Sequence, residues 1–265
     1  MGFYRGPNLP RKNALTMGLV TPMYNGSSNQ TILNRPDNDV NFTITNYSAG
    51  TSITPIPTLQ SNTSSDGSGT SKVRISSGSS KVQSGSITVL IWFNLEGVPL
   101  NVGSSNNYRS LLQTQSSTSG FPISMVLEQS YVINFTAGFT DNVSRRYLNS
   151  SFAPVSADST GWQMVTYTYE QSTGISSCYK DDSQIRTGPH TTNSSNGNAT
   201  TAGLGLSYSS YNSSGFGISG DTTGANPGGN GTLPGELGTW LIWNEALTST
   251  EVISVYDNMK SQYGL

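Results

Sequence analysis

The sequence predicts an all-β fold: an antiparallel sandwich with a short C-terminal helix and an extended N-terminal arm. Three observations predict it. The 265 residues include 43 Ser, 30 Thr, 24 Asn and 29 Gly, and Ser, Asn and Gly weaken helices while Thr suits strands. Short apolar runs recur between clusters of Gly, Asn, Ser and Asp, the pattern of a sandwich or barrel. Helical spacing with a cap occurs in one segment, at the C-terminal end. The length fits one large sandwich domain.

The arm comes first. Residues 1 to 13 carry Gly2, Gly6, Pro7 and Pro10 among Arg5, Arg11 and Lys12, with no apolar period. Phe3, Tyr4, Arg5 and Pro7 are its expected anchoring residues. The domain proper then runs from 14 to 265. Residues 51 to 71, with Pro55, Pro57, Asp66, Gly67 and Gly69, read as a long surface loop holding a short edge strand. Val73 and Ile75 alternate against Arg74. In the run from Ser86 to Asn94, Ile87, Val89, Ile91 and Phe93 share one face and Leu90 and Trp92 the other. That pattern predicts a central strand buried on both sides. Further strands are expected at 108–113, 123–127, 131–136, 162–169, 176–180, 204–207 and 239–243. Thr248 and Glu251 then form a capping box, and Val252, Val255, Tyr256, Met259 and Tyr263 recur at helical spacing before Gly264. This helix should lay its apolar face on the sandwich.

Charge narrows the function. Thirteen basic and 15 acidic residues give a net charge of −2, and no Lys/Arg block makes the positive footprint that nucleic acid requires. The 13 Tyr, 8 Phe and 4 Trp argue against disorder. A lone Cys178 excludes an intrachain disulfide and a Cys-based zinc cluster. Thr16 and Gly18 interrupt the apolar segment 14–20, so it does not read as a secretion signal. The longest aliphatic-aromatic run, Val89 to Phe93, is far short of the roughly 20 residues that span a bilayer, so no membrane partner is expected.

Catalytic chemistry has little to work with. His190, the single histidine, stands in a Gly-Pro-His-Thr turn, where an exposed role is expected rather than a general base. Paired glycosidase carboxylates sit about 5–5.5 Å apart across one bond. Glu128, Glu170, Asp181 and Asp182 are the acids nearest the strands, and none alternates with another along one strand face. Residues 215–220 spell G-x-G-x-x-G, but a Gly-rich stretch follows where the dinucleotide fingerprint needs a helix, so a flexible loop is expected. No cofactor is expected, with calcium as the one open case: Asp181 and Asp182 are oxygen donors in a turn. Tyr108, Arg109, Tyr179, Tyr208 and Tyr211 offer aromatic faces and a planar donor to a glycan or a protein partner.

The segment 87–94, then Gly161-Trp162-Gln163-Met164-Val165-Thr166-Tyr167-Thr168-Tyr169, then Cys178-Tyr179-Lys180-Asp181-Asp182, and finally Gly235-Glu236-Leu237-Gly238 through Ile242-Trp243-Asn244-Glu245-Ala246-Leu247-Thr248 together resemble the laminin-G-like, concanavalin-A-like jelly rolls. The opening Phe3-Tyr4-Arg5-Gly6-Pro7-Asn8 and Gly18-Leu19-Val20 are similar to laminin-G-like structural proteins of tailed phages, notably those infecting cyanobacteria. The resemblance implies a non-enzymatic protein of the virion surface, a capsid decoration or cement protein. Its implied partners are the major capsid protein or other virion proteins, further copies of itself, and host-surface glycans held weakly. A stand-alone carbohydrate-binding module or a tail-fibre adhesin is the alternative, and a glycoside hydrolase the third reading.

Overall fold

The computed structural model describes residues 8–19, 29–33, 41–50, 58–61, 72–75, 85–95, 108–114, 123–128, 133–137, 139, 146–147, 161–189, 191–192, 201–206, 216–218, 230–233 and 235–265. In chain order its strands begin with β1 (Leu15–Leu19), β2 (Asn29–Leu33), β3 (Asn41–Thr45), β4 (Tyr47–Ala49), β5 (Leu59–Ser61), β6 (Lys72–Ile75), β7 (Ile87–Asn94), β8 (Tyr108–Thr114) and β9 (Ile123–Glu128). There follow β10 (Ile133–Ala137), β11 (Arg146–Tyr147), β12 (Gln163–Glu170), β13 (Ile175–Lys180), β14 (Ser183–Pro189), β15 (Thr191–Thr192), β16 (Phe216–Ile218), β17 (Asn230–Thr232) and β18 (Glu236–Trp243). Helix α1 (Ser249–Met259) follows the last strand.

These strands make the predicted antiparallel sandwich. Among the described residues, sheet A has eight strands in the order β14-β13-β12-β7-β18-β5-β4, with β1 also paired to β18. Sheet B has ten, in the order β15-β11-β10-β9-β8-β16-β6-β3-β2, with β17 added beside β8. The β17–β8 pair is parallel. One edge of β18 is shared along its length, by β5 at Glu236 and Leu237 and by β1 from Trp240 to Trp243.

Sheet A is buried on both sides, which is why β7 carries eight buried residues in a row. Its inner face sets Val89, Ile91, Phe93, Tyr167 and Trp240 against Phe42, Leu112, Met125 and Phe135 of sheet B. Phe42 meets Trp240 edge-on at 4.4 Å between ring centroids, and Phe135 stacks on Tyr167 at 5.3 Å. The outer face sets Leu90, Trp92, Leu241 and Trp243 under Val252, Val255, Met259 and Tyr263 of the C-terminal segment. Trp92 stacks on both Tyr256 (5.7 Å) and Tyr263 (4.2 Å), so a ring from within α1 and a ring from the turn after it close on one indole.

The capping box is formed. The Thr248 hydroxyl accepts from the Glu251 N–H at 3.3 Å, and the Thr248 N–H donates to Glu251 Oε2 at 2.8 Å. A 3-10 turn, Lys260–Tyr263, extends the helix, and Gly264 ends it at φ 75°, in the left-handed region that glycine enters freely.

Four sequence expectations change. Within 51–71, the described β5 is flanked by β18 and β4 rather than standing at an edge, and Leu59 is fully buried. Phe216 to Ile218, inside the G-x-G-x-x-G stretch, form a strand between β8 and β6 rather than a flexible loop. Of the segment 204–207, Leu206 makes an isolated bridge to Phe139 instead of a strand. And β14 is a strand that the apolar pattern missed, because it lies at the sheet's edge and most of its residues are exposed. Its register also slips: Gln184 stands opposite Tyr179 but Arg186 opposite Cys178, leaving Ile185 as the extra residue of a bulge.

Candidate functional site

The most fully built surface feature is the place where the N-terminal segment meets the helix. An arm that extends freely as far as residue 13 does not describe its inner end, because residues 8 to 14 lie back on the body. Leu9 and Ala14 join the outer apolar cluster, and Lys12 to Ala14 form a 3-10 turn. The physical reason is that this short stretch finds both apolar cover and charge partners. The Arg11 guanidinium forks between two carboxylates, Nε to Glu251 Oε1 and Nη1 to Glu245 Oε2, each at 2.8 Å. The Trp243 indole N–H donates to the Pro10 carbonyl at 3.1 Å, the Asn244 N–H to the Ala14 carbonyl at 2.9 Å, and the Asn258 side chain to the Asn8 carbonyl at 3.3 Å. The segment thus runs antiparallel to α1, from Asn258 near its end to Glu251 near its start.

Glu251 joins two structures through its two oxygens. One takes the Arg11 hydrogen bond while the other caps the helix. Burial pushes its carboxyl up, but Arg11 and then the Thr248 hydrogen bonds outweigh burial and hold it below the usual 4.5. The guanidinium responds in the opposite sense, raised first by its hydrogen bond to Glu251 and then by that to Glu245.

Of the residues expected to bind a ligand, the described ones stand in different sheets. Tyr108 and Arg109 open β8 in sheet B, opposite Glu128 and Leu127 on one side and Asn230 and Gly231 on the other. Tyr179 belongs to sheet A and is 3% exposed. It packs in the outer cluster beside Trp92 and Met164, and its hydroxyl donates to Gln184 Oε1 at 3.2 Å. Its ring is therefore a packing element and not a face offered to a sugar. Tyr208 and Tyr211 lie outside the described residues, as do Phe3, Tyr4, Arg5, Pro7 and His190.

Asp181 and Asp182 make the β13–β14 turn. Asp181 adopts φ 56°, and it clasps β12 through two bonds, its N–H to the Met164 carbonyl (2.8 Å) and its Oδ1 from the Met164 N–H (2.9 Å). Burial raises its carboxyl above the usual 3.8, ahead of the opposing Met164 bond. Asp182 is exposed and accepts from the Ser183 hydroxyl. Among the described residues no group of three or more His, Cys, Asp or Glu is arranged to hold a metal ion. In this structure the pair serves the turn.

One carboxylate that sequence reasoning passed over is fully buried. Glu236, at the start of β18, accepts from the Thr58 hydroxyl at 2.6 Å, and its cross-strand neighbours are Asn94 and Gln60. Gly50 leaves the space: a Cβ there would fall 1.9 Å from Thr58 Oγ1 and 2.6 Å from Glu236 Oε2. Among the described residues Glu236 is the sole buried carboxylate, and it ties the β4–β5 hairpin to the central strand. The signal for it was Gly235-Glu236-Leu237-Gly238, an acid between glycines at the mouth of an apolar strand.

No family model and no curated protein matches the sequence. Solved structures do match in fold. The botulinum neurotoxin serotype C1 binding domain superposes with a TM-score of 0.59 and 13% identity, over 94% of this chain and 52% of that one. The binding domain of Paraclostridial Mosquitocidal Protein 1 gives 0.55 and 12%, over 92% and 52%. Trypanosoma rangeli sialidase gives 0.57 and 12%, over 94% and 33%. This chain spans about half the length of the toxin binding domains and a third of the sialidase. At such identities the likeness is one of fold, the β-sandwich.

Proposed function

We propose that the protein is a non-enzymatic structural component of a virus particle, a laminin-G-like decoration of the capsid surface held through its N-terminal arm. One observation carries this reading: the root of the arm is fastened. Arg11, Pro10, Leu9 and Asn8 are fixed on the body by ion pairs, hydrogen bonds and burial, and Phe3, Tyr4, Arg5 and Pro7 are the residues proposed to reach the neighbour from this root. A fixed root lowers the ordering cost that an arm meets when it binds a neighbouring subunit. The major capsid protein and further copies of this chain are the partners proposed, and the virion surface is its location.

Quantitative mass spectrometry of purified particles tests this. The expected result is a regular ratio of this protein to the major shell protein. A variant lacking residues 2–7, shown by circular dichroism to be folded, should be missing from particles. Unchanged incorporation would overturn the reading.

A glycan-binding role is the second reading, favoured by the neurotoxin and mosquitocidal neighbours, whose structures are described as binding domains. Tyr108 and Arg109 are the remaining described candidates for it. A glycan array with the purified protein, wild type against Arg109→Ala, tests it: binding lost in the variant supports it, and an array with no signal overturns it.

A further inference from the structure

We propose that residues 8–14 are an acid-released strap: the charge on Glu251 is the catch that holds Arg11, and opening gives the buried edge of Trp243 to solvent. The first observation is strain. Arg11 is held at φ 43°, ψ 51°, a left-handed conformation that disfavours a residue with a Cβ by a factor of roughly 5–30. The turn it makes lets the strap touch the body on both sides of Arg11. Leu9 and Ala14 both enter the outer apolar cluster, and the Ala14 N–H closes the turn on the Arg11 carbonyl at 2.9 Å. Beneath it Trp243 is fully buried, with its indole N–H on the Pro10 carbonyl at 3.1 Å.

The second observation is what offsets the strain. The Arg11 guanidinium meets Glu251 and Glu245 at 2.8 Å each, with all three side chains partly exposed. Two such pairs together favour closure by about fivefold, the same order as the strain opposes it. The apolar contacts of Leu9 and Ala14 and the bonds from Trp243, Asn244 and Asn258 are then left to hold the strap, and loss of one charge shifts it. Glu251 is the carboxylate placed to act as the catch, because its other oxygen takes the Thr248 N–H of the helix cap. Burial pushes its carboxyl up, but Arg11 and the Thr248 bonds outweigh burial and hold it below 4.5. It is therefore charged at neutral pH and releases Arg11 as the pH falls through that lowered value. Among the described residues, the other charged groups around Arg11 are Glu245, before α1, and Glu170, at the end of β12, whose carboxylate is bonded to Ser86 and Ser172.

Hydrogen exchange at the Trp243 indole N–H and the Asn244 N–H, read by NMR on the full chain, tests this, with the β7 amides reporting that the sandwich stays folded. At pH 7, Arg11→Ala keeps the strain and loses the pairs, and should exchange about fivefold faster than wild type. Arg11→Gly loses both, and should stay within about twofold of wild type. Glu251→Gln keeps the cap, since glutamine serves at that position, and should exchange about twofold to fivefold faster than wild type at pH 7 but equally at pH 3; taking the ratio at each pH cancels the intrinsic pH dependence of exchange. Arg11→Gly as fast as Arg11→Ala would overturn the strain, and a Glu251→Gln ratio that is the same at both pH values would overturn the catch. Should a variant disturb the β7 amides, the wild type alone decides at pH 7: raising the salt to about 1 M should speed exchange at Trp243 and Asn244 while β7 is unchanged, and no salt effect at these two sites would overturn the proposal.

Discussion

Replacing Arg11 with alanine should loosen the N-terminal segment without unfolding the sandwich. The side chains of Arg11, Glu245 and Glu251 are 34%, 50% and 26% exposed, and both contacts are 2.8 Å. Exposed ion pairs contribute about 0.2–1 kcal/mol each after screening, so two pairs on one guanidinium amount to roughly 1 kcal/mol, or about a fivefold change in a local opening equilibrium. The reporting groups are the Ala14 N–H, bonded to the Arg11 carbonyl, and the Asn244 N–H, bonded to the Ala14 carbonyl. Hydrogen exchange at these two amides should accelerate about fivefold, while the amides of β7 keep their wild-type protection. Raising the salt should shrink the difference between variant and wild type. Acid should mimic the substitution. The folded Glu251 carboxyl lies below its usual 4.5, so its contribution is complete above about pH 4.5 and is lost as the pH falls through the lower folded value. Equal acceleration in β7, or none at Asn244, would refute the reasoning.

Three other substitutions test the interior and the turn. Gly50→Ala places a methyl 1.9 Å from Thr58 Oγ1 beside a buried carboxylate, and should cost about 1–3 kcal/mol in a denaturant melt; an unshifted midpoint would mean that the β4–β5 hairpin is not held as described. Trp92→Ala removes both ring stacks beneath α1, with an expected loss of about 3–5 kcal/mol and of near-ultraviolet circular dichroism. Asp181→Asn should hold its melting temperature, because asparagine keeps an acceptor for Met164 and tolerates φ 56°. Its sign with pH is opposite to that of Glu251. A raised carboxyl costs stability as the pH rises past the usual 3.8, so the variant should equal or slightly exceed wild type at pH 7 and lose that margin at pH 3.

What could be read from the chain follows how each element is buried. Ile87 to Asn94 announce themselves because sheet A is covered on both faces, and α1 because its cap and its apolar stripe are local in sequence. β14 stayed hidden because an edge strand needs no apolar alternation, and its bulge shifts the period between Cys178 and Tyr179. The same limit governs the site. Tyr179 is an aromatic near a turn, and what the residues around it do not reveal is that a helix 70 positions later covers the ring. Conversely, Arg11 looked like one of three positive charges on a free arm, yet its partners, Glu245 and Glu251, sit 234 and 240 positions away. Local patterns specify which face of an element is apolar, whereas partnership across the chain decides whether a polar or aromatic side chain is offered to a ligand or used up in the fold. Arg11 is used up, and that is what holds the segment from Asn8 to Arg11 against α1.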